Sequence, residues 1–260
     1  MRQLINRFTR VTSTGFFLPE IDGLRFLAIS WVFTYHLNDY LIKTHHDNGT
    51  KIFQRVFGNG HLGVELFFVI SGFVLSLPFA RYYLKQGKKV YLKQYFIRRL
   101  SRLEPPYFLI MIFLFFFQAS THFYTARELT PHLIASLLYA HNIIYPGTLP
   151  VINSVAWSLE IEIQFYIMVP LLAYIFILQK NIRRILLVSI MIVMPVIQYF
   201  YKSDTLFFYQ YIQYFSTGFL LADIYVNYDK HYFFKPAQRI KKNVLTAIGM
   251  LVFAGILMIP

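Results

Sequence analysis

Val64-Glu-Leu-Phe-Phe-Val-Ile-Ser-Gly-Phe-Val-Leu-Ser-Leu-Pro-Phe-Ala80 carries a single charged side chain, Glu65, and Arg81 closes it. A helix rises about 1.5 Å per residue, so crossing a hydrocarbon core of about 30 Å takes about 20 mostly apolar residues. This run is close to that length. Comparable runs recur near 24–42, 105–121, 157–178, 185–201, 205–226 and 244–260. The expected fold class is therefore all-α, a polytopic transmembrane helix bundle of seven or eight spans. Composition agrees: 57% of the 260 residues are hydrophobic and 14% charged, with a mean hydropathy of +0.48. No soluble fold of this size covers that much apolar surface.

The eighth run, His132 to Tyr145, is shorter than a span and holds His132, His141 and Asn142. Its length points to a re-entrant or interfacial segment. The distribution of cations supports this reading. With the N-terminus inside and 132–145 not spanning, only Lys43, Lys51, Arg55, Arg127 and Lys202 of the 25 Lys and Arg fall outside. A spanning 132–145 would divide them almost equally, against the positive-inside rule. A net charge of +13 arranged between apolar runs fits topology signals and anionic lipid, not nucleic acid. There is no Cys, so thiolate chemistry is excluded. Residues 1–20 are polar and basic without a cleavable signal, and are expected to form a cytoplasmic N-terminal segment. Residues 21–260 are expected to form one transmembrane domain, and an apolar run that stops at Pro260 predicts a domain incomplete at its C-terminus.

Four segments hold the polar chemistry. Arg25 and His36 are eleven positions apart, which on a helix leaves them roughly 20° from alignment and about 16 Å apart along the axis. Ionisable groups inside a span are costly unless they act or are paired. Gly58, Gly60 and Gly63 fit a dinucleotide-loop spacing, but no strand precedes them, and that reading is set aside. Glu65 is expected at the outer start of its span, and Gly72 at a close helix approach. Arg98, Arg99 and Arg102 cluster at the mouth of the third span, where guanidinium groups suit phosphate capture as well as lipid headgroups. In Trp157-Ser-Leu-Glu-Ile-Glu-Ile-Gln-Phe-Tyr166, Glu160 shares a face with Gln164, and Glu162 shares another with Tyr166.

Together these segments resemble the acyltransferase type 3 family of integral membrane O-acyltransferases. Its signatures match Arg25 and His36 with ten residues between them, Arg99-x-x-Arg102, Gly63 to Phe73 with Glu65 in place of the usual Asp, and Trp157 to Tyr166 with Glu162 as the family acid. The resemblance covers Glu20 to about Pro170 well; the family has about ten spans, more than are present here. It implies transfer of an acyl group, commonly acetyl, from cytoplasmic acyl-CoA to a hydroxyl of an extracytoplasmic glycan such as a surface polysaccharide, lipopolysaccharide or peptidoglycan. His36 would be the general base, its imidazole kept neutral by burial. Arg25 would hold donor phosphate or polarise the carbonyl, Glu162 would orient His36 or the acceptor, and Arg99 and Arg102, with Arg98 beside them, would receive the nucleotide. Acyl-CoA is a substrate here, with no permanently bound cofactor or metal, and the expected location is a bacterial inner membrane. Rival readings are a transporter or flippase, a remnant without activity, and a membrane O-acyltransferase of another kind that uses His141 and Asn142.

The charge bias makes a direct prediction about sidedness. Single cysteines introduced at Lys88 and at Arg127 should react differently with an impermeant thiol reagent in intact cells, with Arg127→Cys labelled and Lys88→Cys protected. The reverse pattern would invert the topology.

Overall fold

The computed structural model describes residues 18–45, 58–121, 124–201 and 203–227, and every regular element among them is helical. In chain order these are α1 (Pro19–His45), α2 (His61–Lys85), α3 (Leu92–Ser120), α4 (Ala126–Leu137), α5 (His141–Ile144), α6 (Ala156–Leu172), α7 (Lys180–Phe200) and α8 (Ile212–Asn227). Short 3-10 helices lie at Ala173–Ile177 and Phe208–Tyr211. The chain divides into two compact units, and the division falls inside α2, between Ile70 and Ser71.

Four stretches among the described residues are long and apolar enough to cross a membrane: Leu62–Lys85, Leu92–Ser120, Ser154–Ile177 and Lys180–Phe200. They coincide with four of the seven expected runs and make this a multi-pass membrane chain. The run at 24–42 is helical throughout as α1, but Ser30, Thr34, His36 and Asn38 dilute its apolar character, and it is not among the four. The run at 205–226 opens as irregular chain and a 3-10 turn, becoming α-helical only at Ile212. The run at 244–260 lies outside the described residues. The third helix starts earlier than its apolar run, at Leu92, and continues through Pro105 and Pro106. Arg98, Arg99 and Arg102 therefore sit within the helix itself. Large apolar side chains on its outer face, such as Leu109, Phe113 and Phe116, are exposed, as are Ile185, Ile192 and Val196 on α7. Such faces belong against lipid chains.

In the first unit α1 and α2 approach closely at Gly63, where a Cβ would lie 2.7 Å from the Ala28 carbonyl oxygen and 2.8 Å from Val32 Cγ2. In the second unit Gly72 does the same for α2 and α8: a Cβ there would run into the Phe215 backbone, which confirms the expected close approach. Aromatic rings fill the space beside that contact. Phe165 of α6 stacks on Phe215 at 3.7 Å between centroids, and Phe176 stacks on Phe219 at 5.5 Å.

α4 is not a span. Twelve residues give roughly 18 Å of helix, well short of the membrane core. Its start is fixed by a capping box, in which the Thr125 hydroxyl accepts from the Glu128 N–H and the Glu128 carboxylate accepts from the Thr125 N–H. It packs on α3 through a core of Tyr107, Met111, Leu129, Ile152 and Ala156. Tyr107 donates to the Ser136 carbonyl oxygen at 2.9 Å, while Gln118 Nε2 donates to the Ile152 carbonyl oxygen at 2.9 Å. α4 thus lies along α3, and the chain that follows it returns to the level of Gln118, an arrangement open to a re-entrant or an interfacial segment alike. The reversal passes through Tyr139, which takes a left-handed φ of 54° and stacks on Tyr107 at 5.1 Å.

At the other end of the second unit a cation counted as a topology signal turns out to be buried. Arg183 is 3% exposed and Asp223 0%. The Arg183 guanidinium bonds Asp223 through Nη2 and through Nε at 2.8 Å, and Arg184 Nε reaches the other oxygen at 2.6 Å. Arg183 Nη1 donates to the carbonyl oxygens of Phe176 and Leu178, satisfying the end of the 3-10 helix. Breaking a buried pair from one side leaves a charge uncompensated, at a cost of about 3–5 kcal/mol. Asp223→Ala should therefore lower the melting temperature of the detergent-solubilised protein far more than Asp204→Ala, a change at an exposed aspartate. Equal shifts would mean that the pair does not hold α7 to α8.

Candidate functional site

The geometry that matters starts at α6. Trp157 to Tyr166 is helical, so Glu160 and Glu162 leave the helix about 200° apart and meet different surroundings. Both enter a candidate span, where an unpaired carboxylate is costly. Each is met by its own set of donors.

Glu160, 0% exposed, faces the segment that follows α4. Its Oε2 accepts the Asn142 backbone N–H at 2.9 Å, and the His141 backbone N–H also points to the carboxylate. The Asn142 side chain donates to the Trp157 carbonyl oxygen at 2.9 Å. His141, 0% exposed, meets His132 of α4 with 3.0 Å between His132 Nδ1 and His141 Nε2, and Tyr145 packs on both imidazoles. His141 and Asn142 were the active pair of one rival reading. Both are buried, and the bonds that Asn142 makes fasten the segment to α6.

Glu162 faces the opposite way and meets α2. Its Oε1 accepts the Ser71 hydroxyl at 2.7 Å and the Tyr166 hydroxyl at 2.6 Å, as their shared helix face predicts for Tyr166. Tyr95 of α3 donates to the Tyr166 carbonyl oxygen at 3.3 Å. Arg99, one turn further along α3, lies with Glu162 in electrostatic range of both tyrosines. Three family signatures thereby converge: Ser71 from the Gly63–Phe73 stretch, Arg99 from the Arg-x-x-Arg pair, and Glu162 and Tyr166 from the Trp157–Tyr166 stretch. Of the expected phosphate-binding set, Arg99 is half-buried, whereas Arg98 and Arg102 are exposed.

Arg25 and His36 lie in the other unit, on α1, whose unbroken helix supports the predicted alignment of the two positions. Arg25 pairs with Asp22 one turn earlier, at 3.3 Å. His36 is exposed and meets Tyr35 edge-on at 5.3 Å, so packing among the described residues does not supply the burial expected of it. Glu65 is half-buried and lies beyond the first turn of α2.

Ser71 and Tyr95 were not singled out from the sequence. Ser71 stood inside a motif read for its glycine, and Tyr95 just ahead of the arginines; helical spacing cannot pair residues 91 positions apart. Gln164 was placed beside Glu160, yet its Oε1 accepts the Phe208 N–H at 2.9 Å and ties α6 to the second 3-10 helix.

A multi-pass helical membrane chain with a half-buried carboxylate, two tyrosines and an arginine drawn from separate motifs defines a class in which polar chemistry is built between spans. The acyltransferase domain model matches residues 18–259, and the chain belongs to the acyltransferase type 3 family. It is 31% identical over 169 residues to the peptidoglycan O-acetyltransferase OatA of Listeria monocytogenes, covering 62% of this chain and 25% of that protein. It is 34% identical over 168 residues to the O-acetyltransferase OatA of Staphylococcus aureus, covering 60% and 24%. The chain thus matches about a quarter of the length of these relatives. No solved structure matches it.

The histidine pair gives the segment a dependence on pH. Burial, and then the neighbouring His132, hold the His141 imidazole below its ordinary range. A base whose folded pKa is lowered contributes stability that is present above its unfolded value, about 6.5, and is lost as pH falls through that value towards the folded pKa. Hydrogen exchange across residues 126–145 should therefore quicken on acidification below that point, and His141→Gln should flatten the response. Greater protection in acid would reverse the assignment.

Proposed function

We propose that the chain carries the membrane-embedded acyl-transfer centre of an O-acyltransferase, which moves an acyl group, acetyl in the simplest case, from cytoplasmic acyl-CoA to a hydroxyl of an extracytoplasmic glycan. The observation that carries this reading is the cluster of Ser71, Tyr95, Arg99, Glu162 and Tyr166, in which residues from two family motifs bond the Glu162 carboxylate and Arg99 of a third lies in electrostatic range of the tyrosines beside it. Family membership supports the reaction class, and the name of the Listeria relative supports peptidoglycan as the acceptor. Four apolar helices of spanning length support an enzyme within the bilayer, for which a bacterial cytoplasmic membrane with the N-terminus inside is the proposed setting.

In the proposed reaction His36 takes the proton of the acceptor hydroxyl as its oxygen attacks the thioester carbonyl carbon. The C–O bond forms, the C–S bond breaks, and the departing thiolate receives the proton from the imidazolium. Arg25, on the same helix, offsets charge that develops on the carbonyl oxygen or on the donor phosphates. Arg99 and Arg102, with Arg98, take the nucleotide phosphates by charge-assisted hydrogen bonds. Glu162 orients His36 or the acceptor. Acyl-CoA enters and leaves as a substrate.

The decisive experiment uses the full natural protein in membranes with acetyl-CoA and a glycan acceptor. His36→Gln preserves a hydrogen-bonding side chain but cannot serve as the base, and should lower the transfer rate by about 10² to 10⁴ at unchanged expression. Near wild-type transfer by His36→Gln would remove His36 from the mechanism.

A further inference from the structure

Glu162 is held in an asymmetric way. Two hydroxyls, Ser71 from α2 and Tyr166 from one turn along α6, donate to the same carboxylate oxygen, Oε1, at 2.7 and 2.6 Å. Tyr166 is in turn held from α3, because Tyr95 donates to its main-chain carbonyl oxygen at 3.3 Å. Tyr95 is 4% exposed and Tyr166 8%, so neither hydroxyl has bulk water as an alternative partner.

We propose that Ser71 and Tyr166 are positioning residues for Glu162, fixing its carboxylate so that Oε1 is occupied and Oε2 is presented to the reacting groups, and that Tyr95 extends this hold to the helix of Arg99. The inference rests on the acyl-transfer reading of the site and names residues beyond those the family signatures make catalytic. Its logic is geometric. A glutamate carboxylate on three side-chain torsions samples many orientations, and one bond to Oε1 still leaves a swing about that contact. Two short bonds from different helices remove that freedom before substrate arrives, which is what preorganisation requires. The helix that brings Ser71 is placed by its neighbour Gly72, whose missing side chain lets α2 meet the Phe215 backbone. Next to Tyr166 in sequence, Phe165 stacks on Phe215 at 3.7 Å and ties α6 to α8. Among the described residues Ser71 and Tyr166 are the only hydrogen-bond partners of Glu162, and both are on Oε1.

Two measurements on the full natural protein in lipid test this. The first is an infrared difference between wild type and Glu162→Gln, which isolates the Glu162 carboxyl bands without any need for turnover. Ser71→Ala and Tyr166→Phe should each shift those bands, and Ser71→Thr should restore the wild-type position. Bands that stay in place in both variants overturn the proposal. The second is steady-state transfer from acetyl-CoA. A lost hydrogen bond to a charged group corresponds to roughly ten- to a hundredfold, and here it should fall on kcat, with KM for acetyl-CoA unchanged and Ser71→Thr recovering most of the rate. A structural role alone would lower thermal stability and leave kcat of the folded fraction intact, and that result also overturns the proposal. If the bands shift but the wild type transfers no acyl group, the hydrogen-bonded arrangement stands and the acyl-transfer reading fails.

Discussion

Two carboxylates two residues apart at the start of an apolar helix impose the arrangement of the second unit. Neither Glu160 nor Glu162 can be buried alone, because an ionised group without donors in a low-dielectric interior costs several kcal/mol. Their spacing sends them to opposite sides of α6, so one neighbour cannot satisfy both. The solution on one side is backbone: the chain after α4 turns so that N–H groups of the α5 start reach Glu160. On the other side it is side chain, with hydroxyls from α2 and from α6 itself on Glu162. The shortness of α4, the left-handed Tyr139 and the glycine at 72 all serve these two requirements.

Much of this was legible in the sequence because it is local or periodic. Runs of apolar residues marked α2, α3, α6 and α7, and the length of 132–145 excluded a span. Spacing placed Glu162 beside Tyr166, and small size placed Gly72 at a close approach. What escaped was pairing at long range: Ser71 with Glu162, Asn142 with Glu160, Arg183 with Asp223. Nothing in a local pattern separates an arginine that marks the cytoplasmic side from one buried against an aspartate 40 residues later. The start of α8 was missed for a related reason. The 205–226 run is apolar enough for a helix, but Phe207 to Tyr211 takes a 3-10 turn in which the Gln210 side chain caps the Phe207 N–H, and the Phe208 N–H is drawn to Gln164.

The aromatic content also has a mechanical side. Phe165, Phe215, Phe219 and Phe176 form a continuous set of ring contacts from α6 to α8 and on to the 3-10 helix. Rings of this size have few rotamers and, when close-packed, little room to change them. A site that depends on tenths of an ångström in hydroxyl placement is best built over such a floor.

The ion pair of Arg183 and Asp223 has a consequence in time. A chain is made from its N-terminus, so Arg183 emerges and meets the membrane ahead of Asp223, which follows 40 residues behind. During that interval Arg183 and Arg184 are free cations beside an apolar segment, able to resist translocation and set its orientation. Once α8 follows, the same guanidinium groups close on the carboxylate, and Arg183 leaves the surface altogether. The same residue thus meets the membrane first as a positive charge of the kind that signals orientation and afterwards as a latch. Reversing the order of α7 and α8 in the gene would keep every partner of the latch yet alter the moment at which that signal is read.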